Sequence, residues 1–169
     1  VGNHDKLQSQ RWAELAAGTA ADLLVSDVMQ LHETASHMVD HFTGHTRAFL
    51  QVQQGCDHRC TFCVIPYGRG NNRSSPATDI ILAARQLVAN GCQEIVLSGV
   101  DITSWGSDMA GRPRLGHLVR RLLREVPDLP RLRLSSLDPA ELDAELMEVL
   151  AEESRLMPHL HISAQHGDD

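Results

Sequence analysis

Segments of strand and helix character alternate along the chain from Phe49 to its end. Short apolar runs that end in glycine or polar residues are typical of buried strands, and longer stretches with apolar residues three and four apart are typical of helices. A regular alternation of the two predicts parallel strands joined by helical crossovers. We therefore expect an α/β fold, with strands at 49–53, 94–99, 131–135 and 159–163 and helices at 76–90, 115–126 and 139–153.

The first 48 residues lack this alternation and are interpreted as a tail and linker. They contain one short helical stretch, at 6–17, followed by a histidine-rich segment. His37, His41 and His45 have the spacing of a helical metal site, but a glycine within the segment favours an irregular linker there. Both ends of the chain are abrupt, and four strands with three helices are too few to close a barrel. We expect a piece of a longer protein.

Three cysteines, Cys56, Cys60 and Cys63, lie in the loop that follows the first predicted strand. Ligand sites in parallel α/β proteins lie at the carboxyl ends of the strands. Three thiolates are one fewer than a structural zinc ion uses, but they suit a 4Fe–4S cluster that leaves one iron open. S-adenosylmethionine (SAM) can chelate such an iron through its amino and carboxylate groups, beside a one-electron donor. The spacing and its position after a strand predict this cluster.

Two other interpretations of these cysteines stay open on the residues alone. A zinc ion would have to recruit a fourth ligand, such as His58, and a disulfide would need an oxidising compartment. The remaining cysteine, Cys92, follows Gly91 at the start of the second predicted strand. We expect Cys92 to be a small core residue and not a ligand.

The formal net charge of −7 argues against a general nucleic-acid-binding module, because Lys and Arg supply most of the non-specific affinity for phosphate. The acidic residues are concentrated in and around the third predicted helix. The stretch from Arg47 to Arg73 instead carries four arginines against one aspartate. A local basic patch around the cysteines is therefore predicted in an acidic chain.

Four strings of this sequence resemble the radical SAM core of the methylthiotransferases: FLQVQQGCDHRCTFCVIPYGRG, EIVLSGVDITSWG, RLRLSSLDP and LMPHLHISAQHGDD. Within that family, GVDI, LSSLDP and LMPHLHIS are most similar to the branch that modifies N6-threonylcarbamoyladenosine in tRNA. The resemblance implies a truncated radical SAM (β/α) barrel, at 46–169. It also implies that 1–45 is a linker preceded by the end of an N-terminal methylthiotransferase domain.

The activity that the resemblance implies is the replacement of the C2 hydrogen of threonylcarbamoyladenosine, next to the anticodon, by a methylthio group. A 4Fe–4S cluster on Cys56, Cys60 and Cys63 would cleave SAM to the 5′-deoxyadenosyl radical. A second 4Fe–4S cluster belongs to the family's N-terminal domain, and a C-terminal β-barrel domain helps to bind tRNA. This chain lacks the cysteines for the second cluster, so we expect it to be inactive alone in the full reaction.

Further site residues are expected where the other strands end. Gly99 and Asp101 would meet the methionine end of SAM, where a carboxylate can accept from the ammonium group; a turn glycine and a capping aspartate are the alternative. Ser135, Ser136 and Gln165 would form hydrogen bonds with the ribose and methionine groups of SAM. The alternative is that these side chains form hydrogen bonds only within their own loops. The family has a small serine where this chain has His166, which makes contacts there less secure.

The remaining expectations concern the cysteine loop and the partners. Phe62 would offer its backbone and ring to the adenine of SAM, or pack under the loop. Arg69 and Arg73 would form a flexible basic loop that contacts tRNA phosphates, or a solvated one. The implied partners are tRNA and an electron donor such as a flavodoxin or ferredoxin. No apolar run approaches the roughly 20 residues of a membrane span, so we expect a soluble protein with no membrane partner. We also expect it to be cytoplasmic and monomeric.

Rival functions remain at this stage. A sister methylthiotransferase that acts on isopentenyladenosine in tRNA, or on an aspartate of a ribosomal protein, would share every cluster ligand. A zinc or dithiol module without SAM chemistry is the rival from a different class.

Overall fold

The computed structural model describes residue 5 and residues 8–19, 25–32 and 46–163. The strands are β1 (Arg47–Gln51), β2 (Gln53–Gln54), β3 (Arg73–Ser74), β4 (Glu94–Ser98) and β5 (Arg131–Leu134). The α-helices are α1 (Ser9–Ala16), α2 (Ile65–Arg69), α3 (Ala77–Ala89), α4 (Leu115–Glu125) and α5 (Ala144–Glu152).

The central element is a parallel three-stranded sheet with the order β1-β4-β5. Phe49 of β1 is in register with Val96 of β4, which is in register with Arg133 of β5. Helix α3 connects β1 to β4, and α4 connects β4 to β5. Neighbours in sequence are thus neighbours in the sheet, as crossover connections dictate. The predicted α/β fold with parallel strands is confirmed.

The hydrophobic core lies between one face of this sheet and the helices. Along β1, Ala48 and Leu50 are buried whereas Phe49 is 62% exposed, which is the two-residue period of a strand with one covered face. Ile80 of α3 and Leu118 of α4 are among the fully buried side chains that pack against it. Because β1, β4 and β5 are parallel, their carboxyl ends lie at the same edge of the sheet.

The third predicted helix, 139–153, is divided in two. Asp138 caps a 3-10 turn at Pro139–Glu141, where its side chain accepts from the amide of Ala140. Asp143 then caps α5 by accepting from the amide of Leu146 at 2.9 Å. Two capping carboxylates five residues apart supply two separate helix starts, so the prediction of one continuous helix is wrong.

The fourth predicted strand, 159–163, is not a strand among the residues that the structure describes. One isolated parallel bridge, between Leu137 and Ile162, falls within this segment, and another, between Leu132 and Leu156, precedes it. Pro158 lies between them and has no amide N–H to donate, so it interrupts the ladder. The segment follows β5 in the parallel direction, but the prediction of a regular strand is wrong.

A buried carboxylate joins the three strands at their amino-terminal edge. Glu94 of β4 is 5% exposed and forms ion pairs with Arg47 at 2.7 Å, Arg133 at 3.0 Å and Arg131 at 3.3 Å. The hydrogen bond from Arg133, reinforced by the positive charges of Arg133 and Arg47, lowers the pKa of Glu94. Glu94 therefore carries a charge at neutral pH despite its burial.

None of the helices in the described ranges combines the length and the apolar character that a membrane crossing requires.

Candidate metal and cofactor site

The three clustered cysteines lie in the loop between β2 and α2, at the carboxyl edge of the parallel sheet. The loop is anchored to its own return segment, because the amide of Cys56 donates to the carbonyl of Gly70 at 3.1 Å. Gly55 has a φ of +74°, and a Cβ there would overlap the Asn71 carbonyl oxygen. A glycine directly before Cys56 thus permits the close approach of the two backbone segments.

A cavity of about 240 Å³ opens between this loop and the segments that follow β4 and β5. All three clustered cysteines line it, as do residues from each of the predicted strand ends. Its lining comprises Cys56, His58, Cys60, Cys63, Ile65, Val100, Asp101, Ser136, Leu137, Asp138 and Ser163. The fold therefore brings the thiols and the candidate cofactor-binding loops to one site, as expected of the carboxyl ends of parallel strands.

The cysteine sulfurs share one electrostatic environment. Burial raises the pKa of the Cys56 thiol, and the negative charges of Asp101, Cys63 and Cys60 raise it further. Three thiolates that line one cavity repel one another, and a cationic metal group would stabilise them in the deprotonated form. Three thiols that line one cavity fit the donor set of a 4Fe–4S cluster held by three thiolates.

His58 lines the cavity with the cysteines and lies next to two carboxylates. Its Nε2 atom lies 3.2 Å from a carboxylate oxygen of Glu141 and 3.5 Å from one of Asp101. These contacts involve Nε2 and not the second ring nitrogen of His58, so the zinc alternative stays a matter for metal analysis. The ligand atoms of His58, Asp101 and Glu141 are close enough together to hold a small cation. Direct contact between the His58 imidazole and the two carboxylates explains the same arrangement without a cation.

Asp101 is buried at the cavity wall, where β4 ends. Its two carboxylate oxygens accept hydrogen bonds from the hydroxyls of Thr103 and Ser104, both at 2.6 Å. These hydrogen bonds orient the carboxylate, and Asp101 lines the cavity. Its interaction with the ammonium group of SAM stays a prediction. The local turn role and the cofactor role are compatible for this residue, since a carboxylate has about four acceptor sites.

Gly99 is required by the packing of the protein itself. A Cβ at this position would lie 2.7 Å from Oε1 of Gln53 and 2.8 Å from Cγ2 of Ile102. The side chain of Gln53 therefore occupies the space that the glycine vacates. A contact between Gly99 and SAM stays a prediction.

The two serines after β5 have different environments. The Ser135 hydroxyl donates to the Leu97 carbonyl at 3.0 Å, a role within the protein. Ser136 lines the cavity and has a φ of +42°, which a residue with a side chain seldom adopts. Local strain of this kind is common at ligand sites. Ser136 is thus the better placed of the two for a cofactor contact, which stays a prediction.

Phe62 and Gln165 complete the predicted cofactor set. Phe62 is 87% exposed, so the alternative that it packs under the cysteine loop is wrong. Its exposed ring leaves the adenine contact as a prediction. Gln165 and His166 lie outside the described residues, as do the histidines at 37, 41 and 45.

The expected basic loop holds only one of its two arginines at the surface. Arg73 is 3% exposed, and its guanidinium donates to the carbonyls of Asn71 and Arg69 and to Oε1 of Gln54. Burial lowers the pKa of Arg73. This side chain fastens the return segment of the cysteine loop, so its expected position on a solvated loop is corrected. Arg69 is exposed at the end of α2.

Cys92 lies in the hydrophobic core, away from the cavity lining. Its thiol donates to the carbonyl of Glu94 at 3.2 Å. The expectation of a core residue is met by this placement.

Several residues of the cavity were not singled out from the sequence. Asp138 was expected in the loop after the third strand and Ser163 at the end of the fourth, but neither was given a role in the site. Glu141, which contacts His58 beside the cavity, was expected within a helix. Gln53 does not line the cavity but was also missed, and its buried side-chain amide forms hydrogen bonds with the segments on both sides of it. The signal in the sequence that could have indicated Gln53 is a polar residue in the last position of the first predicted strand.

Comparison with known families decides the identity of this arrangement. A model of the radical SAM superfamily matches residues 50–169, which include all three clustered cysteines and all three strand-end segments. The chain belongs to the radical SAM superfamily. The predicted family is thereby confirmed at the level of the superfamily.

Curated relatives of this chain include methylthiotransferases. Threonylcarbamoyladenosine tRNA methylthiotransferase MtaB of Rickettsia prowazekii (strain Madrid E) is 48% identical over the whole chain, which covers 39% of that protein. A tRNA-2-methylthio-N(6)-dimethylallyladenosine synthase of Erythrobacter litoralis (strain HTCC2594) is 43% identical, with 72% of this chain and 28% of that protein covered. The ribosomal protein uS12 methylthiotransferase RimO of Myxococcus xanthus (strain DK1622) is 35% identical, with 92% and 32% covered. The chain thus spans less than half the length of these relatives.

A solved radical SAM structure supports the fold. The radical S-adenosylmethionine methyltransferase TsrM from Kitasatospora setae, solved with cobalamin and a [4Fe-4S] cluster bound, matches with a TM-score of 0.55 at 20% identity. The match covers 71% of this chain and 22% of that one. It confirms that the described strands and helices form part of a radical SAM fold.

Proposed function

We propose that this chain is the first part of the radical SAM core of a tRNA methylthiotransferase that acts on N6-threonylcarbamoyladenosine. The observation that carries the proposal is the cavity in which three thiols meet the segments after β4 and β5. The 48% identity over the whole chain to a protein named for that substrate supports the substrate assignment. The parent protein, and not this piece alone, would perform the full reaction.

In this proposal Cys56, Cys60 and Cys63 hold a 4Fe–4S cluster. When bound, the cluster supplies the electron that cleaves SAM and so begins the removal of hydrogen from C2 of the adenine. The protein's own contribution is to hold the reacting groups in place. The hydrogen bond from the Cys56 amide to the Gly70 carbonyl and the close packing at Gly55 fix the cysteine loop. Holding reacting groups in place in this way lowers the entropy cost of the reaction.

The walls of the cavity would bind SAM. Asp101 is oriented by two hydroxyl donors and would accept from the SAM ammonium, a charge-assisted bond in a largely buried position. Ser136 lines the same cavity and would bond a polar group of the cofactor. Four residues are weaker candidates for SAM contacts. Phe62 is exposed, and Gly99 and Ser135 already contact other residues of the protein. Gln165 lies outside the described residues.

The substrate and the other partners follow from the same proposal. Arg69, exposed beside the cysteine loop, would contact tRNA phosphate, whereas the buried Arg73 is not proposed for this role. The reductant would be a small electron carrier of the flavodoxin or ferredoxin class. We infer that the parent carries the second cluster in a domain that ends within residues 1–45, and that it acts as a monomer in the cytoplasm, where tRNA is modified.

Nucleoside analysis of tRNA tests the proposed function. A strain from which the parent gene is deleted should retain threonylcarbamoyladenosine without its methylthio derivative, and the isopentenyladenosine series should be unaffected. Complementation with the parent gene should restore the derivative, and complementation with its Cys60→Ala variant should not. Loss of the methylthio group from isopentenyladenosine instead would assign the protein to the branch that acts on isopentenyladenosine in tRNA. Loss of the methylthio group from ribosomal protein uS12 would assign it to the branch that acts on that protein.

A further inference from the structure

Gln53 has a side chain that is fully buried and fully bonded. It is 0% exposed, and its Nε2 atom donates to the Gly55 carbonyl and to Oδ1 of Asn72, both at 2.6 Å. Its Oε1 atom accepts from the amides of Val100 and Asp101, both at 2.9 Å. Two donated and two accepted bonds use the hydrogen-bonding capacity of one amide group.

These four bonds join the two walls of the cavity. Gly55 directly precedes Cys56, the first of the clustered cysteines. Val100 and Asp101 follow β4 and line the opposite side. The side chain of Gln53 is thus a bridge, one residue long, between the loop with the thiols and the loop with the candidate SAM carboxylate.

Asn72 extends this bridge into the rest of the cysteine loop. Its amide N–H donates to Oδ1 of Asp57 at 2.9 Å, and Asp57 lies between the first two cysteines. Its Nδ2 atom donates to the carbonyl of Ser104 at 3.2 Å, on the wall that follows β4. The same two segments are therefore connected through Gln53 and through Asn72, and both of these residues are buried.

We propose that Gln53 is a positioning residue that sets the separation between the thiolate-held cluster and the methionine end of SAM. The proposal rests on the proposed function, since it concerns the same cavity. Only a neutral amide supplies donors to one wall and acceptors to the other. Glutamate has the same shape, keeps the acceptors for Val100 and Asp101, and loses both donors to the cysteine-loop side.

The test uses the full-length parent protein, reconstituted anaerobically, as wild type and Gln53→Glu. Gln93→Glu is the matched control, because Gln93 is exposed at the entry to β4 and its side chain bonds only its own turn. Three quantities are measured: iron and sulfide per protein, the Kd for SAM by equilibrium dialysis, and the change that SAM produces in the electron paramagnetic resonance spectrum of the reduced cluster.

Gln53→Glu should keep wild-type iron and sulfide while its Kd for SAM rises about 10- to 100-fold, the usual effect of a residue that orients ligands. The spectral change on adding SAM should be reduced in parallel, and Gln93→Glu should match wild type in all three. Wild-type SAM affinity and an unchanged spectral response in Gln53→Glu would overturn the proposal. Wild-type protein that binds no SAM would instead refute the proposed function itself.

A second variant decides the matter if Gln53→Glu fails to retain its cluster. Gln53→Asn keeps the neutral amide but is one methylene shorter, so its side chain cannot reach the Gly55 carbonyl and the Asp101 amide together. Weakened SAM binding at full iron content in Gln53→Asn supports the positioning role. Unchanged SAM affinity in Gln53→Asn overturns it.

Discussion

Replacing Gly55 by alanine tests how tightly the cysteine loop must close. Gly55 has a φ of +74°, and an added Cβ would overlap the Asn71 carbonyl oxygen, lying 2.6 Å from the Asn71 carbonyl carbon and 2.7 Å from the Gly70 oxygen. These neighbours are backbone atoms and cannot rotate aside. The loop would have to open, which would break the bond from the Cys56 amide to Gly70.

The magnitude follows from two contributions. The left-handed backbone costs an alanine about 1–2 kcal/mol, and overpacking of a closed site costs about 1–3 kcal/mol more. Gly111 is the matched control, since it has a φ of +76° and nothing within 4 Å of its added Cβ. The difference between the two variants isolates the contact contribution, about 1–3 kcal/mol, which corresponds to roughly 5- to 150-fold in the population of the closed loop.

The assay is iron and sulfide content after anaerobic reconstitution of the parent protein, together with thermal unfolding. Gly55→Ala should lose a large part of its cluster, whereas Gly111→Ala should keep wild-type iron and show only the smaller loss of stability. Equal iron content and equal melting temperatures in the two variants would refute the reasoning that loop closure at Gly55 positions Cys56.

Three further changes probe the charge network, the helix cap and the basic surface. Glu94→Gln should destabilise the protein by about 1–3 kcal/mol near neutral pH. Because the arginines lower the pKa of Glu94, this stabilisation is complete above the ordinary glutamate pKa of about 4.3 and is lost as the pH falls through the pKa of the folded state. The melting temperatures of variant and wild type should therefore converge at acid pH. A difference in melting temperature that stays constant with pH would contradict this role of Glu94. Asp143→Ala should cost about 0.5–2 kcal/mol while Asp143→Asn, which keeps the cap acceptor for Leu146, should cost less, and equal melts would argue against the cap. Arg69→Ala should weaken tRNA binding by the parent and reduce the salt slope by about one, whereas an unaltered slope would leave Arg69 as an ordinary surface residue.

The sequence predicted the parallel architecture because its signals are local. The second and third predicted strands match β4 and β5 to within one residue, and the predicted helices at 76–90 and 115–126 match α3 and α4. Apolar periodicity and terminal glycine or proline residues carry this information without knowledge of the tertiary fold. The placement of the cysteine loop at the carboxyl edge follows from the same order of elements.

The features that were missed depend on contacts between distant residues. The small antiparallel sheet of β2 and β3 pairs Gln54 with Arg73, which buries an arginine expected on the surface. Gln53 reaches Asp101 across 48 positions of the chain, and no periodicity marks such a pair. The division of the third helix at Asp143 was visible in principle, because aspartate is a favoured cap, but the apolar spacing across it favoured one helix.

The composition of the metal group tests the central claim most directly. Parent protein reconstituted anaerobically with iron and sulfide should contain a 4Fe–4S cluster on Cys56, Cys60 and Cys63 and should cleave SAM when reduced. Alanine at any of these three positions should abolish cleavage, and Cys92→Ala should retain both cluster and cleavage, because Cys92 is a core residue. The account is contradicted if the protein instead holds zinc at the three thiolates without inorganic sulfide, or if Cys60→Ala still cleaves SAM at the wild-type rate.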